Sequence, residues 1–364
     1  MKIQIVTTVL LSATSLFSHT DNSLERLAEP NLTVADKFHF YGDLRIRDQE
    51  VHRDDKDNSY EQRYRVRVGI SYDITDQFIF EFQGASGKGN PTSGNVSFSK
   101  GIGIEHYKID ILDLKYKLDD SSWLRAGKSK HYFYRPMKTQ LIWDNDIRPE
   151  GISYGYKNGD RFTAGVWKVH RLENKVESSG DIYMLVAQYV HKMDTWHIGA
   201  GLYYYDGVKG NVPTYAKGAL GNSLDAEGRY ENDYTIVEAM VEYKFGDILG
   251  KPFKVATTLA YNVAVSDENF AYDVSAQWGE TKELYDWRLG YTYRDLQKDA
   301  VYAAHNDSDF INGGTDGYGH IVTGKMKLHA DMFLAFHYQW TTRKVFEGDN
   351  LHYDRLMSDM IFKF

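Results

Sequence analysis

The stretch Arg63-Tyr64-Arg65-Val66-Arg67-Val68-Gly69-Ile70-Ser71-Tyr72 decides the fold. Tyr64, Val66, Val68, Ile70 and Tyr72 occupy alternate positions, with Arg63, Arg65 and Arg67 between them. Successive side chains of a strand point to opposite faces, so a period of two gives one apolar face and one basic face. A helix would spread both sets around its circumference. Upstream, Phe38, Phe40, Leu44 and Ile46 share one phase, and His39, Asp43, Arg45 and Arg47 the other. Downstream the alternation recurs as far as residue 364, for instance at Trp196, Ile198, Ala200, Leu202 and Tyr204.

Polar breaks separate these runs, and their lengths alternate. Short ones fall at 73–76, 119–121, 157–160, 192–194 and 329–331; long ones lie near 49–59, 86–103, 130–149, 207–230 and 298–317. Tight turns at one end and long loops at the other are the asymmetry of a transmembrane antiparallel β-barrel, with short periplasmic turns and long external loops. The runs number about sixteen, the even count such a barrel requires. Composition agrees. Of 364 residues, 26% are charged, yet 15% are aromatic, which a polar chain accommodates by alternating the two along strands. Past residue 17 no apolar run reaches the length of a spanning helix. The absence of cysteine excludes disulfide frameworks, thiol nucleophiles and Cys-ligated zinc. A net charge of -8, spread along the chain, gives no support to nucleic-acid binding.

Met1-Lys2 followed by the uncharged residues 3–17 has the order and length of a signal peptide, too short to span a bilayer as a helix. The expected division is a signal peptide over 1–20, a short lead-in over 21–36 and an outer-membrane β-barrel over 37–364. The expected location is therefore the cell outer membrane. Apolar residues alternate back from Phe364 through Phe362. A strand ending in Phe resembles the signal read by the outer-membrane barrel assembly machinery, which makes Phe364 the candidate assembly signal.

With the apolar face on lipid and lipopolysaccharide, the other face lines the lumen. Arg45, Arg47, Arg63, Arg65 and Arg67 then form a positive wall on two neighbouring strands, joined by Arg355 where the last strand closes beside the first. Glu81 on the third strand and Glu238 and Glu242 on the tenth suggest that opposite signs are segregated. The break at 130–149 carries two of the six prolines, several aromatics and the acids Asp144, Asp146 and Glu150, a density that predicts an ordered, packed loop. Asp144, Asp146 and Glu150 are the expected counterparts of the arginine wall, and arginines outnumbering loop acids predicts weak anion preference.

Residues 37–364 resemble the putative porins of Gram-negative bacteria, most specifically in Leu141-Ile142-Trp143-Asp144-Asn145-Asp146-Ile147-Arg148-Pro149-Glu150-Gly151 and in Arg125-Ala126-Gly127-Lys128 before it. The resemblance implies a passive diffusion channel, often trimeric among porins, whose third external loop folds into the lumen. It implies a porin for small hydrophilic solutes and ions, with no catalytic residues and no cofactor. Alternatives are a substrate-specific channel for oligosaccharides or organic acids, using Tyr132, Phe133, Tyr134 and Trp143 as a stacking track, and a surface adhesin or structural barrel. Enzyme signatures are incomplete. Ser122 stands where a phosphate loop ending Gly127-Lys128-Ser129 needs its first glycine, and Gly84-Ala85-Ser86-Gly87 is one residue short of a nucleophile elbow. Acid clusters at 144–150 and at Asp307, Asp309 and Asp316 have the hard oxygens of a calcium site, but such clusters more often face water or an arginine.

Overall fold

Backbone groups inside a bilayer have no water to bond, so a sheet persists there only by closing on itself. The computed structural model describes residues 34–87, 91–98, 106–169, 181–213, 218–344 and 350–364. The expected signal peptide and nearly all of the expected lead-in lie outside the described residues; 34–37 form a single 3-10 turn. The first strands are β1 (Phe38–Arg53), β2 (Lys56–Asp73), β3 (Phe78–Ser86), a two-residue β4 (Val96–Ser97), β5 (Tyr107–Lys117) and β6 (Ser122–Lys128). Next come β7 (Glu150–Asn158), β8 (Asp160–Lys168), β9 (Tyr183–Lys192), β10 (Trp196–Asp206), β11 (Tyr234–Ile248) and β12 (Lys251–Asn262). The last are β13 (Phe270–Gly279), β14 (Trp287–Leu296), β15 (Gly317–His329), β16 (Met332–Arg343) and β17 (Leu351–Lys363). Sixteen of them form a closed antiparallel barrel, β17 returning to pair with β1 from Asp43↔Lys363 to Arg53↔Tyr353. The short β4 is an extra ladder on β2, with Arg63 opposite Ser97.

The alternation acquires its two environments here. Along β9, exposed Tyr183, Leu185 and Tyr189 interleave with buried Met184, Val186, Gln188 and Val190. Phe40 is 64% exposed, Ile152 61% and Val166 52%, while Arg47, Arg125, Arg294 and Arg355 are buried. Apolar side chains outside and charged ones inside is the reverse of a water-soluble protein and fits a barrel with lipid around it. Aromatic pairs gather outside near the turn end, Phe38 on Tyr72 at 4.5 Å, Phe78 on Tyr116 at 4.5 Å and Trp196 on Tyr243 at 4.3 Å, as an interfacial girdle requires.

Two details depart from the sequence reading. The expected long loop near 49–59 is instead a hairpin. β1 runs on to Arg53 and β2 starts at Lys56, with Val51 opposite Ser59. Polar residues on both faces conceal a ladder that needs no apolar face once its backbone bonds are paired. The second departure is a bulge where Gln83 and Gly84 of β3 face Ile111 and Ile109 of β5. Asp110 is the extra residue, so it and Ile111 are both buried on the lumen side. A bulge re-aims a side chain that strict alternation would send outward.

The lumen is not empty. The third loop, between β6 and β7, packs with the fifth, between β10 and β11, and the seventh, between β14 and β15. Phe133, Trp143, Trp167, Tyr203, Tyr302 and Ala304 belong to one buried apolar cluster. Trp143 stacks on His305 at 5.3 Å and meets Phe133 at 5.1 Å. Burial pushes the His305 imidazole down to about 3, so it sits in this cluster as a neutral ring.

Candidate constriction site

Cross-strand register brings the arginines together. Arg45 is directly opposite Arg65, and Arg47 opposite Arg63. On the other side of β1, Val51 faces Arg355. Like charges facing each other across a ladder destabilise it unless carboxylates lie between them, and the structure interleaves them. Arg47 makes a bidentate pair with Asp359 of β17, at 2.6 and 2.9 Å. Arg65 donates to Asp43 at 2.6 and 3.0 Å. Arg355 reaches Asp309 of the seventh loop at 2.9 Å and Gln49 at 2.6 Å. Arg45 bonds Asn95 and lies 3.7 Å from Asp359. Arg63 has the weakest partners, Gln49 at 3.4 Å and Glu61 at 3.7 Å.

The third loop meets this wall through Asp146. Arg67 donates to it at 2.6 Å, and Arg65 stands at 3.9 Å. Burial raises the Asp146 carboxyl, but Arg67, Arg65, Arg148 and Arg45 outweigh it and hold the group below the usual carboxylate range. Asp309 behaves likewise: Arg355, Arg47, His337 and Arg45 overcome the effect of burial and keep it ionised. Arg148 of the third loop adds a bond to the re-aimed Asp110 at 3.1 Å.

The other two loop acids have different places. Asp144 is buried away from the wall and accepts from the backbone N–H groups of Asp146 at 2.7 Å and Ser308 at 2.9 Å. Burial first, then Asp146 and Asp307 as like charges, push its carboxyl well above the ordinary range. Ser308 donates in turn to the Thr92 carbonyl, so the second, third and seventh loops are stitched together inside the barrel. Glu150 begins β7, is exposed and accepts from Lys128 at 3.0 Å. It does not reach the arginines. The acid clusters considered for calcium are likewise split up, with Asp307 on Arg294 at 2.9 Å and Asp309 on Arg355. Phe133 and Trp143, candidates for a stacking track, are 6% and 1% exposed and serve as core. Tyr132 lies under the Arg125 guanidinium, 4.5 Å away.

Far from the arginine wall, the third loop is anchored again. Tyr134 exchanges backbone bonds with the Gln188 side chain of β9 and its hydroxyl meets His197 of β10 at 2.7 Å. Thr139 bonds Asp273 of β13, which also pairs with Arg294 at 2.8 Å. The loop thus crosses the lumen from β9–β13 to β2. Asp43, Asp359, Asp309 and Asp110 complete the wall, and the segregation of signs expected from the sequence is not observed. Asp43 and Asp359 share the phase of their neighbouring arginines, so alternation alone could have found them. Asp309 depends on a loop fold and Asp110 on a bulge, and neither carries a sequence signal.

Among the described residues, two cavities flank this arrangement. One of about 270 Å³ opens on the loop side of the wall, lined by Gln49, Arg63, Asp309, Tyr353 and Arg355. The other, about 150 Å³, lies between the third loop and β5, with Lys108, Asp110, Trp143 and Arg148 on its walls.

No curated protein matches the sequence. Among solved structures, the chain is similar to Vibrio cholerae OmpT lacking loop L8, with 14% identity over 90% of this chain and 99% of that one, at a TM-score of 0.52. A multiply substituted Rh. blastica porin is 10% identical over 90% of this chain and 100% of that one, TM-score 0.53. Salmonella typhi OmpF, solved with daunomycin, is 9% identical over 90% and 97%, TM-score 0.54. Identities this low show a shared barrel fold. The sequence itself matches the model of the family described as Putative porin over residues 49–232 and 251–364, which is most of the chain. A closed sixteen-stranded barrel with an apolar exterior, a charged lumen and an inward third loop, carrying that sequence match, belongs to the putative porin family.

Proposed function

We propose that this chain forms a diffusion channel in the outer membrane, passing small hydrophilic solutes and ions down their gradients through a lumen narrowed by the third loop. The observation that carries this reading is the Asp146–Arg67 ion pair, which ties the loop to the barrel wall from inside. A passage shaped by alternating guanidinium and carboxylate groups orders water and disfavours apolar solutes, because charged groups are costly to strip of solvent. Arg45, Arg47, Arg63, Arg65, Arg67 and Asp146 are the proposed constriction residues. Asp144 would hold the loop in place from behind, while Glu150 contributes only at the rim. Interleaved Asp43, Asp359 and Asp309 argue that this wall is close to neutral, which weakens the anion preference expected from counting arginines.

The reading includes export by the N-terminal leader, assembly by the barrel machinery, lipid and lipopolysaccharide around the barrel, and a homotrimer. The burial of Phe133 and Trp143 favours it over an oligosaccharide track. Purified protein in planar bilayers tests it: ohmic single-channel steps in KCl without added solute support diffusion. Flux that saturates with a sugar or organic acid would instead favour a substrate-specific channel, and silence would favour an adhesin or structural barrel.

A further inference from the structure

The turn-side half of the lumen holds a second set of basic groups, and unlike the arginine wall it is not matched by acids. Register places Arg288 of β14 directly opposite Lys325 of β15. Lys325 is on the same phase as Ile321, whose side chain is buried against Phe310 and Ile311 of the inward seventh loop, so this face points into the barrel. The Lys325 ammonium lies 3.9 Å from the centre of the Phe333 ring, and Lys363 of β17 lies 5.4 Å from the same ring. One aromatic ring therefore has two cations near it, beside a guanidinium.

The third loop adds another cation. Its 3-10 turn (Pro136–Lys138) packs against β11 and β12. Met137 and Lys138 both have left-handed backbones, with φ of 48° and 64°. Such conformations are strained in non-glycine residues and persist where surrounding structure imposes them. Here they deliver the exposed Lys138 to the basic group. Burial, then Arg288, Lys363, Arg135 and Lys254 as like charges, hold the Lys138 ammonium below its ordinary value. Among the described residues, Lys138, Arg288, Lys325 and Lys363 have no carboxylate within ion-pairing distance, whereas Lys254 has Glu242 at 3.3 Å. Along the opposite arc, Arg161 and Lys192 stand 5.6 and 4.8 Å from the Tyr134 ring. A chain with more acids than bases has therefore collected unneutralised cations on the turn side of its third loop.

We propose that Lys138, Arg288, Lys325 and Lys363 form a binding site for compact, multiply charged oxyanions, inorganic phosphate and phosphorylated small solutes, inside the lumen. This rests on the channel reading and names its solute class. A guanidinium offers two parallel donors to a phosphate, and ammonium groups add point charges around it. A phosphate monoester carries close to two negative charges at neutral pH, so it relieves mutual repulsion of the four cations better than chloride does. Cations clustered in a narrow lumen also raise the local anion concentration, most strongly at low salt.

The test is bilayer recording in KCl with inorganic phosphate added on the turn side. The wild-type channel is expected to be anion-selective in a salt gradient, with chloride current reduced in a saturable manner by phosphate. K138Q, which alters only a loop tip, and R288Q/K325Q should each raise the half-blocking phosphate concentration by about tenfold, the scale of one lost charge-assisted bond. K282Q, on an exposed turn where Lys282 pairs with Glu280, should behave like wild type. Open channels that phosphate does not block, or that it blocks equally in wild type, K138Q and R288Q/K325Q, would overturn the oxyanion site and leave the diffusion channel standing. A protein that inserts and never conducts would overturn the channel reading itself, and the site with it.

Discussion

Arg47 and Asp359 show what one side chain contributes to closing a barrel. They face each other across the β1–β17 seam, both nearly buried, in a bidentate geometry that satisfies two guanidinium donors. Asp359→Asn would leave Arg47 with Asp309 at 3.8 Å as its remaining counter-charge. We expect a loss of about 3 kcal/mol, the lower end for removing one partner of a buried pair, read as a lower unfolding midpoint in urea. A midpoint unchanged in D359N would mean that lumen water already screens the pair. Phe364 acts at the same seam. Its backbone exchanges hydrogen bonds with Gly42, and a Cβ at Gly42 would run into the Phe364 ring. Aromatic rings covering glycines are a recurrent way to hold a sheet's register. Phe364→Ala should therefore lower the amount of barrel assembled in the outer membrane while leaving single-channel conductance within about a factor of two. Equal surface abundance of variant and wild type would remove Phe364 from the assembly step. The phase of these residues is legible in the sequence because alternation states which neighbours share a face. Their partners are legible only in part: Asp43 is two positions from Arg45, whereas Asp359 is hundreds of residues from Arg47 and is found only once the seam is closed.

At the scale of elements, the third loop is held by charge at one end and by aromatic packing in its middle, and the two respond differently to solvent. Asp146 and Asp309 have carboxyls held below the usual range by Arg67, Arg65, Arg148 and Arg45, and by Arg355, Arg47, His337 and Arg45 respectively. A carboxyl lowered on folding stabilises the folded arrangement above its unfolded value, near 3.9, and loses that contribution as pH falls through the folded value. Conductance changes that come from these two anchors should accordingly appear only below about pH 4, where Asp146 and Asp309 begin to protonate. A step between pH 5 and 7 would point instead to Asp144 behind the loop, whose carboxyl is pushed up by burial. Trp143→Ala removes the centre of the aromatic cluster, a change that costs about 3–5 kcal/mol in a packed core. The loop should then loosen, giving larger and noisier current steps while strand content by circular dichroism is retained; unaltered steps would show that the cluster does not position the loop. Pro, aromatic and acidic residues concentrated at 130–149 mark an ordered loop in the sequence itself, since so many groups that pack or pair are rarely left in solvent. The seventh loop, which supplies Asp309 and Ser308, gives a weaker signal: it has no proline, and its apolar residues at 300–304 and 310–311 stand among Asn, Asp and Gly. The hairpin at 53–56 is hidden for the opposite reason: a strand beyond the lipid needs no apolar face.

For the whole molecule, the proposed channel requires an aqueous path along the inward face of the strands and lipid along the other. A closed barrel satisfies its own backbone hydrogen bonds and should stay folded in detergent until boiled, so unheated and boiled samples should migrate differently on gels, with a strand-dominated dichroism spectrum. A helix-rich spectrum would refute the architecture. The most direct measurement exploits the absence of cysteine. Thr323 and Val322 are neighbours on β15; Thr323 shares the lumen phase of Ile321 and Lys325, and Val322 takes the other. Thr323→Cys and Val322→Cys are each recorded as single channels in bilayers while a charged, membrane-impermeant thiol reagent is added. A water-filled lumen on the Thr323 face gives a stepwise, irreversible fall in current for Thr323→Cys and none for Val322→Cys. Modification of Val322→Cys with Thr323→Cys untouched, or no effect at either position in a conducting channel, would show that the aqueous path does not run along that face.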